Sequence, residues 1–148
     1  MNNLTSEDRL EIQNLNARHF HSLDALTRVL DGNPAETWAD TFHPDGTFQT
    51  VMQDGSVVFE AKGRDKLIEA HSSFPDISTT RHWICNLLIE PDPRGARSAS
   101  YIIAMNIGVN PAHIIRTGTY DDLVTKHNGV WLYERKTLIL DAFSPTAE

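Results

Sequence analysis

The second half of the chain limits the possible folds more than any other feature. It holds four long stretches with strand character, over residues 80–90, 97–109, 113–126 and 130–141. Turn residues separate these stretches, at 91–95, 110–111 and 128–129. Long strands joined by short turns predict a meander, and long twisted strands tend to curl. Two shorter stretches, 47–52 and 57–60, flank an Asp-Gly turn and predict a hairpin, with a further turn predicted at 43–46.

Helix signals are confined to the first half. Thr5 or Ser6 can cap a first helix. Its apolar residues recur every three to five positions, at Ile12, Leu15, Phe20, Leu23, Leu26 and Leu30. Breaker residues at 31–34 are expected to end this helix, and shorter helices are predicted over 34–42 and from Gly63. Helices followed by a run of strands predict an α+β fold.

Composition narrows the functional classes. The 148 residues include 13 Lys and Arg against 20 Asp and Glu, a net charge of −7 that argues against nucleic-acid binding. The sequence predicts no membrane span, and its N-terminus has neither the basic head nor the apolar core of a signal peptide. Cys85 is the single cysteine, and no Cys and His cluster has metal-ligand spacing. We therefore expect one cytoplasmic domain over residues 1–148, without metal or cofactor.

Several short segments resemble one known family in their order and spacing. They are Ile12 with 19–24 (HFHSLD), then 38–46 (WADTFHPDG), Gly63, 82–86 (HWICN), 118–120 (GTY) and 128–131 (NGVW). Together they resemble the SnoaL-like branch of the nuclear transport factor 2 superfamily, over residues 10–141. This branch includes polyketide cyclases, scytalone dehydratase, bile acid dehydratase and hexachlorocyclohexane dehydrochlorinase. The resemblance implies a cystatin-like α+β barrel, in which a cone-like, curved mixed β-sheet wraps around N-terminal helices and leaves an open mouth for a ligand.

The resemblance also implies a pair of catalytic residues. Many of these enzymes use a carboxylate on the first helix and a histidine on the first long strand, where this chain has His82. Two aspartates, Asp24 and Asp31, each follow a leucine, and either one fits the carboxylate position. They are seven residues apart, about two helical turns, so they are expected to share a face. Histidine titrates near neutral pH, and a carboxylate can orient its ring and stabilise the imidazolium.

Two further residues complete the predicted catalytic set. Dehydratases of this branch carry tyrosine at the position of His19, which is predicted to act as a second acid–base group or to donate to a substrate carbonyl. The Tyr120 hydroxyl is predicted to polarise a substrate oxygen. Each predicted residue has a structural alternative. His19 can be a partly buried helix histidine, and Tyr120 a core tyrosine. His82 can be a structural, hydrogen-bonded histidine, with both aspartates solvated or capping a helix.

The strand predicted over 80–90 has two different faces. His82, Ile84, Asn86 and Leu88 form a mixed face that suits a pocket. The opposite face is wholly apolar and consists of Trp83, Cys85, Leu87 and Ile89. Such a face predicts a homodimer packed sheet to sheet. The predicted substrate-binding residues are Phe20, Trp38, Phe42, Phe48, Asn86 and Arg116.

These features predict a cofactor-independent lyase or isomerase of the dehydratase or cyclase type. Its substrate is expected to be a small hydrophobic cyclic or polyketide-like molecule with a proton made acidic by a nearby carbonyl. His82 is the predicted base, with Asp24 or Asp31 orienting it. Two other classes fit the same fold: a non-catalytic module that binds a small ligand, and a small structural subunit of an oxygenase.

Overall fold

Six strands form one mixed sheet in the computed structural model, which describes residues 3–25, 28–142 and 144. The strands are β1 (Phe42–Val51), β2 (Val57–Lys62), β3 (Thr80–Asp92), β4 (Gly95–Asn106), β5 (His113–His127) and β6 (Val130–Leu140). Their order across the sheet is β2-β1-β6-β5-β4-β3. Neighbours are antiparallel except β1 and β6, which are parallel. The sheet is curved and unclosed, and the predicted α+β class is confirmed.

Three helices precede or interrupt the strands in the described part of the chain: α1 (Ser6–Leu23), α2 (Pro34–Ala39) and α3 (Arg64–Ser73). A short 3₁₀ turn, Ile77–Thr79, leads into β3. Thr5 and Asp8 cap the start of α1 reciprocally, and Asn33 caps α2, whose first residue is proline. None of these helices has the length and hydropathy to cross a bilayer.

The core lies between the helices and one face of the sheet. Apolar residues of α1, such as Ile12 and Phe20, join the same buried cluster as Trp38 of α2 and Tyr133 of β6. Trp38 and Tyr133 are completely buried. Burying aromatic side chains of this size removes the largest apolar areas from water, so this cluster fixes how α1 and α2 sit on the sheet.

Helix α1 ends seven residues before the predicted end at Leu30. Its last helical residue is Leu23, and Ala25 takes a left-handed conformation with φ 53° that stops the helical hydrogen-bond pattern. Asp31 lies outside the helix, exposed to solvent, so it does not share a helix face with Asp24. Leu26, predicted within the helix, lies outside the described residues.

Two other predicted boundaries are wrong in detail. Helix α2 stops at Ala39, three residues before the predicted end at Phe42. The segment 43–46, predicted as a turn, lies inside β1, where the register to β6 shifts between Phe42 and Thr47. A side chain at Gly46 would meet the Tyr133 carbonyl oxygen at 2.9 Å, so this irregular part of the strand requires glycine.

A bulge in β3 changes which side chains face outward. Asn86 has φ 55°, and the pairing with β4 shifts between Cys85 and Leu88. Leu88 is therefore 58% exposed, whereas Ile89 is 5% exposed and joins the core. Leu87 also packs against the core. The predicted outer face holds only for Trp83 and Cys85, because the extra residue reverses the alternation after them.

Candidate active site

His82 and Asp24 form a buried pair between β3 and the end of α1. His82 Nδ1 lies 2.5 Å from Asp24 Oδ1, and the His82 backbone N–H donates to Asp24 Oδ2 at 3.0 Å. The two side chains are 11% and 7% exposed. Because both carboxylate oxygens bind the same residue, Asp24 fixes the position and the ring orientation of His82.

This geometry selects one tautomer of His82. An ionised carboxylate only accepts hydrogen bonds, so Nδ1 carries the proton and donates it to Asp24. The lone pair of the neutral ring is then on Nε2, which has no hydrogen-bond partner among the described residues. The ring lines a cavity between the sheet and the helices. His82 is thus arranged to accept a proton from a molecule bound there.

His71 on α3 holds the end of α1 in place. Its Nε2 lies 3.0 Å from the Ser22 carbonyl oxygen, two residues before Asp24. A carbonyl only accepts, so Nε2–H is the donor. Burial lowers the pKa of His71, which favours the neutral ring. The packing of α3 therefore helps to fix the turn that presents Asp24.

The cavity beside this pair has a volume of about 440 Å³. Its apolar walls come from Leu23, Phe48, Val58, Phe59, Phe74, Pro75, Ile77, Ile115 and Leu138. Its polar lining comes from Thr50, Ser73, Asp76, Thr80, His82, Arg116 and Tyr120. A mostly apolar lining with a few polar groups at defined points is typical of small-molecule sites.

Strand register fixes the spacing of the polar groups. His82 pairs with Ala104, which pairs with Arg116, so the three lie in one row across β3, β4 and β5. Two strand spacings place the Cα atoms of His82 and Arg116 roughly 10 Å apart. Tyr120 is four residues beyond Arg116 on the same face, with Gly118 between them. The small residues Ala104 and Gly118 leave space between the three functional side chains.

Tyr120 presents a hydroxyl to the cavity. The residue is 2% exposed, and its hydroxyl makes no hydrogen bond within the described residues. Burial, followed by the charge of Asp122, raises the pKa of Tyr120 well above its usual range. The phenol therefore stays protonated and is a donor. The Phe20 ring lies between Tyr120 and His82, at centroid distances of 5.4 and 6.0 Å.

A buried ion pair supports the Tyr120 ring from behind. Lys136 Nζ lies 2.7 Å from Asp122 Oδ2, and both side chains are almost completely buried. The same ammonium group is 4.3 Å from the centroid of the Tyr120 ring and 4.2 Å from that of Tyr133. These cation–π contacts help to fix the tyrosine ring, and Lys136 itself does not line the cavity.

Several predicted site residues lie in the core instead of the cavity. His19 is completely buried: Trp38 Nε1–H donates to its Nε2 at 3.1 Å, and its Nδ1 lies 3.0 Å from Thr41 Oγ1. Since Trp38 only donates, His19 donates from Nδ1, and both nitrogens are occupied. Trp38 and Phe42 are packed around the same ring. These three residues hold α1, α2 and β1 together and do not line the cavity.

Three other predicted residues differ in their placement. Phe20 supports His82 and Tyr120 from the layer behind the lining. Asn86 is exposed at the bulge, and Asp31 is exposed in the loop after α1, so neither faces the cavity. The structure does bring together His82, Asp24, Tyr120, Arg116 and Phe48.

Much of the apolar wall was not predicted from the sequence. Phe59 of β2 and Phe74, which follows α3, contact each other and Phe48, and all three line the cavity. The alternation in the short β2 stretch was a signal for Phe59. Phe74 had no such signal, because it follows α3 in a segment without periodicity.

Comparison with known sequences identifies the family. The sequence model of the SnoaL-like domain matches residues 4–137. The chain therefore belongs to the SnoaL-like domain family, and the predicted resemblance is confirmed. No curated protein matches the sequence.

Solved structures share the fold over nearly the whole chain. A protein of unknown function with a cystatin-like fold from Nostoc punctiforme is 27% identical, with a TM-score of 0.78 over 97% of this chain and 98% of that one. A Catenulispora acidiphila protein in complex with S-DNPA is 21% identical, with a TM-score of 0.73 over 93% and 96%. ActVI-ORFA from Streptomyces coelicolor is 16% identical, with a TM-score of 0.73 over 90% and 97%.

Proposed function

We propose that this protein is a lyase or isomerase that transfers a proton on a small hydrophobic cyclic or polyketide-like molecule. The observation that carries the proposal is the His82–Asp24 pair, which borders a mostly apolar cavity of about 440 Å³. A histidine held in one tautomer, with its other nitrogen available, is a general base positioned for a bound substrate. The small molecule bound to a protein of the same fold supports a ligand of this kind.

The reaction begins with proton abstraction. His82 Nε2 takes a proton from the carbon next to a substrate carbonyl, and the electron pair of the broken C–H bond moves onto the carbonyl oxygen. Tyr120 O–H donates a hydrogen bond to that oxygen, where negative charge develops. The electron pair then returns from the oxygen in one of two ways. In the first, a carbon–carbon double bond forms while a hydroxyl group on the next carbon leaves and takes the proton from Nε2 as water. In the second, where the carbon that lost the proton adjoins a double bond, the pair moves along that bond to a remote carbon, which takes the proton from Nε2. The first outcome is a dehydration and the second an isomerisation.

Asp24 acts as a positioning residue in this scheme. Its carboxylate holds the ring through Nδ1 and stabilises the imidazolium that forms when Nε2 takes the proton. Asp24 is also the C-terminal cap of α1. Because the C-terminal end of a helix dipole is negative, it too favours a positive charge on the His82 ring. Both effects are strongest in a cavity that excludes water.

The experiment uses 5-nitrobenzisoxazole, a flat aromatic probe that reports on bases in apolar pockets. A base removes its ring C–H proton while the N–O bond breaks, which releases a coloured phenolate. We expect His82→Asn to lower the rate by on the order of 100-fold relative to the wild type. His21→Asn, which removes an exposed histidine of α1, is the matched control and is expected to retain the wild-type rate.

The result separates the proposal from its two alternatives. A rate within twofold of wild type for His82→Asn would reject the general base. A ligand-binding module or a structural subunit predicts that outcome, because neither uses proton transfer.

A further inference from the structure

We propose that His71 is a positioning residue for the reaction, which keeps Asp24 in contact with His82 by fixing the turn at the end of α1. The inference rests on the proposed function, because it concerns the same base. It adds a residue that does not line the cavity, on a helix that carries neither the base nor its carboxylate.

The turn that follows α1 closes on a single carbonyl group. The N–H of Ala25, whose left-handed conformation ends the helix, donates to the Ser22 carbonyl oxygen at 3.2 Å. The His71 ring donates from Nε2 to the same oxygen at 3.0 Å. A carbonyl oxygen has two lone pairs, so these two donors occupy both of them. Asp24 lies within this turn, and the orientation of the carbonyl group therefore determines where its side chain points.

The hydrogen bond from His71 is buried on both sides. His71 and Asp24 are each 6% exposed, and Ser22 is completely buried. Water therefore has little access to replace the histidine as donor. Among the described residues, no other side chain of α3 hydrogen-bonds to α1, so this bond alone ties the turn to α3 by a hydrogen bond.

The same turn of α3 leads into the cavity wall. The Phe74 N–H donates to the carbonyl oxygens of Ala70 and His71, at 3.1 and 3.3 Å. Phe74 and Ser73 line the cavity. His71 thus connects the wall that a ligand contacts with the turn that presents the carboxylate. This connection sets the base at a fixed place relative to the wall, which is how a bound molecule is held ready to react.

Nitrogen-15 NMR of the histidine rings tests the positioning without relying on activity. His71→Leu removes the donor, so we expect Asp24 to release the His82 ring and the Nε2–H tautomer of His82 to appear. His71→Gln offers an amide donor to the same carbonyl group and is expected to retain Nδ1–H. Leu67→Val trims a completely buried residue one turn earlier in α3. It is the control for a general loss of packing and is expected to retain Nδ1–H.

Kinetics with 5-nitrobenzisoxazole measure the consequence for the reaction. We expect His71→Leu to lower kcat by on the order of 10-fold, because a small displacement of a positioned group has a large effect on the rate. KM should stay within about twofold, because the residues that line the cavity are unchanged. His71→Gln is expected to recover most of the loss, and Leu67→Val to retain the wild-type kcat.

The proposal requires both changes in His71→Leu, and either one alone rejects it. An equal effect of Leu67→Val, or no recovery in His71→Gln, also rejects it. If His71→Leu does not fold, His71→Phe, which keeps an aromatic ring against Trp38 and Phe74, is measured in its place. The wild-type spectrum gives a further test, because an Nδ1–H tautomer of His71 would reject the hydrogen bond.

Failure of this proposal and failure of the proposed function can be told apart. A His82→Asn rate equal to that of the wild type rejects the proton transfer, whereas the tautomer of His82 in the His71 variants still tests the positioning. A His82-dependent rate that His71→Leu does not change rejects the positioning and keeps the proton transfer.

Discussion

Asp24 reaches the site because of the backbone conformation of its neighbour. Ala25 takes a left-handed φ of 53°, which ends α1 and leaves Asp24 at the tip of the helix, facing β3. Had the helix continued, as the apolar pattern predicted, Asp24 and Asp31 would have shared one face. The histidine and two candidate carboxylates were therefore predictable from the sequence. The backbone conformation of Ala25 determines which of the two carboxylates reaches the histidine.

The first prediction concerns the His82 tautomer. In Asp24→Asn the side-chain amide can donate to Nδ1, so we expect the ring proton to move to Nε2 and block the base. Nitrogen-15 NMR of the histidine side chains distinguishes the two tautomers. The wild type is expected to show Nδ1–H, and an Nε2–H tautomer in the wild type would contradict the assignment of the dyad.

The second prediction concerns the Tyr120 hydroxyl. Tyr120→Phe keeps the ring that packs on Lys136 and Phe20, so the free energy of unfolding should change by no more than about 1 kcal/mol. The probe rate should fall by on the order of 100-fold, because the developing phenolate loses its donor. Tyr101→Phe on the exposed outer face is the control. Equal rates for Tyr120→Phe and wild type would rule out the donor role.

At the scale of elements, a neutral histidine joins α1, α2 and β1. Burial lowers the pKa of His19 well below the usual value of 6.5. The folded chain therefore keeps this ring neutral, while the unfolded chain takes up a proton below about pH 6.5. Since the unfolded state then binds more protons, stability is fully present above pH 6.5 and is lost as the pH falls below it.

The third prediction follows from this linkage. Urea unfolding should show that wild-type stability falls between pH 7.5 and pH 5, with His19 contributing up to about 1.4 kcal/mol per pH unit. His19→Gln is expected to be less stable at pH 7.5 but to show a smaller fall. The exposed His21→Gln should leave the fall unchanged. An identical pH dependence in His19→Gln and wild type would contradict the buried neutral ring.

The elements themselves were predictable to different degrees. Turn residues and alternation located all six described strands, because those signals are local, although β1 begins at Phe42, five residues before its predicted start. The end of α1 and the bulge in β3 depend on left-handed Ala25 and Asn86, and hydrophobic periodicity carries no information about such residues. For the same reason the pattern placed Asn86 in the pocket and Ile89 on the outer face.

At the scale of the whole molecule, one face of the sheet lies open. Trp83 is 46% exposed and Tyr101 is 54% exposed. Tyr101 on β4 pairs with the exposed Cys85 on β3, two residues after Trp83. These exposed aromatic residues are the feature on which the proposed dimer interface is based. His82 and Trp83 are adjacent on β3, so their side chains point to opposite faces of the sheet. The same alternation therefore places His82 at the cavity and Trp83 on the outer face.

The fourth prediction is a homodimer formed through this face. Light scattering at micromolar concentration should give twice the 16.6 kDa mass of one chain. Tyr101→Lys, which places a charge in the interface, should give a monomer that stays folded. Val130→Lys, at the exposed apolar residue that begins β6, should remain dimeric. A monomeric wild type would reject the interface.

The central claim is that His82 and Asp24 act as one unit on a proton in the cavity. A double-mutant cycle with 5-nitrobenzisoxazole tests it most directly, using wild type, His82→Asn, Asp24→Asn and the double variant. We predict that each single change slows the reaction, and that Asp24→Asn causes no further loss once His82 is replaced, because its effect passes through that ring. If Asp24→Asn slows the His82→Asn variant by the same factor as it slows the wild type, the two residues act independently and the account is contradicted.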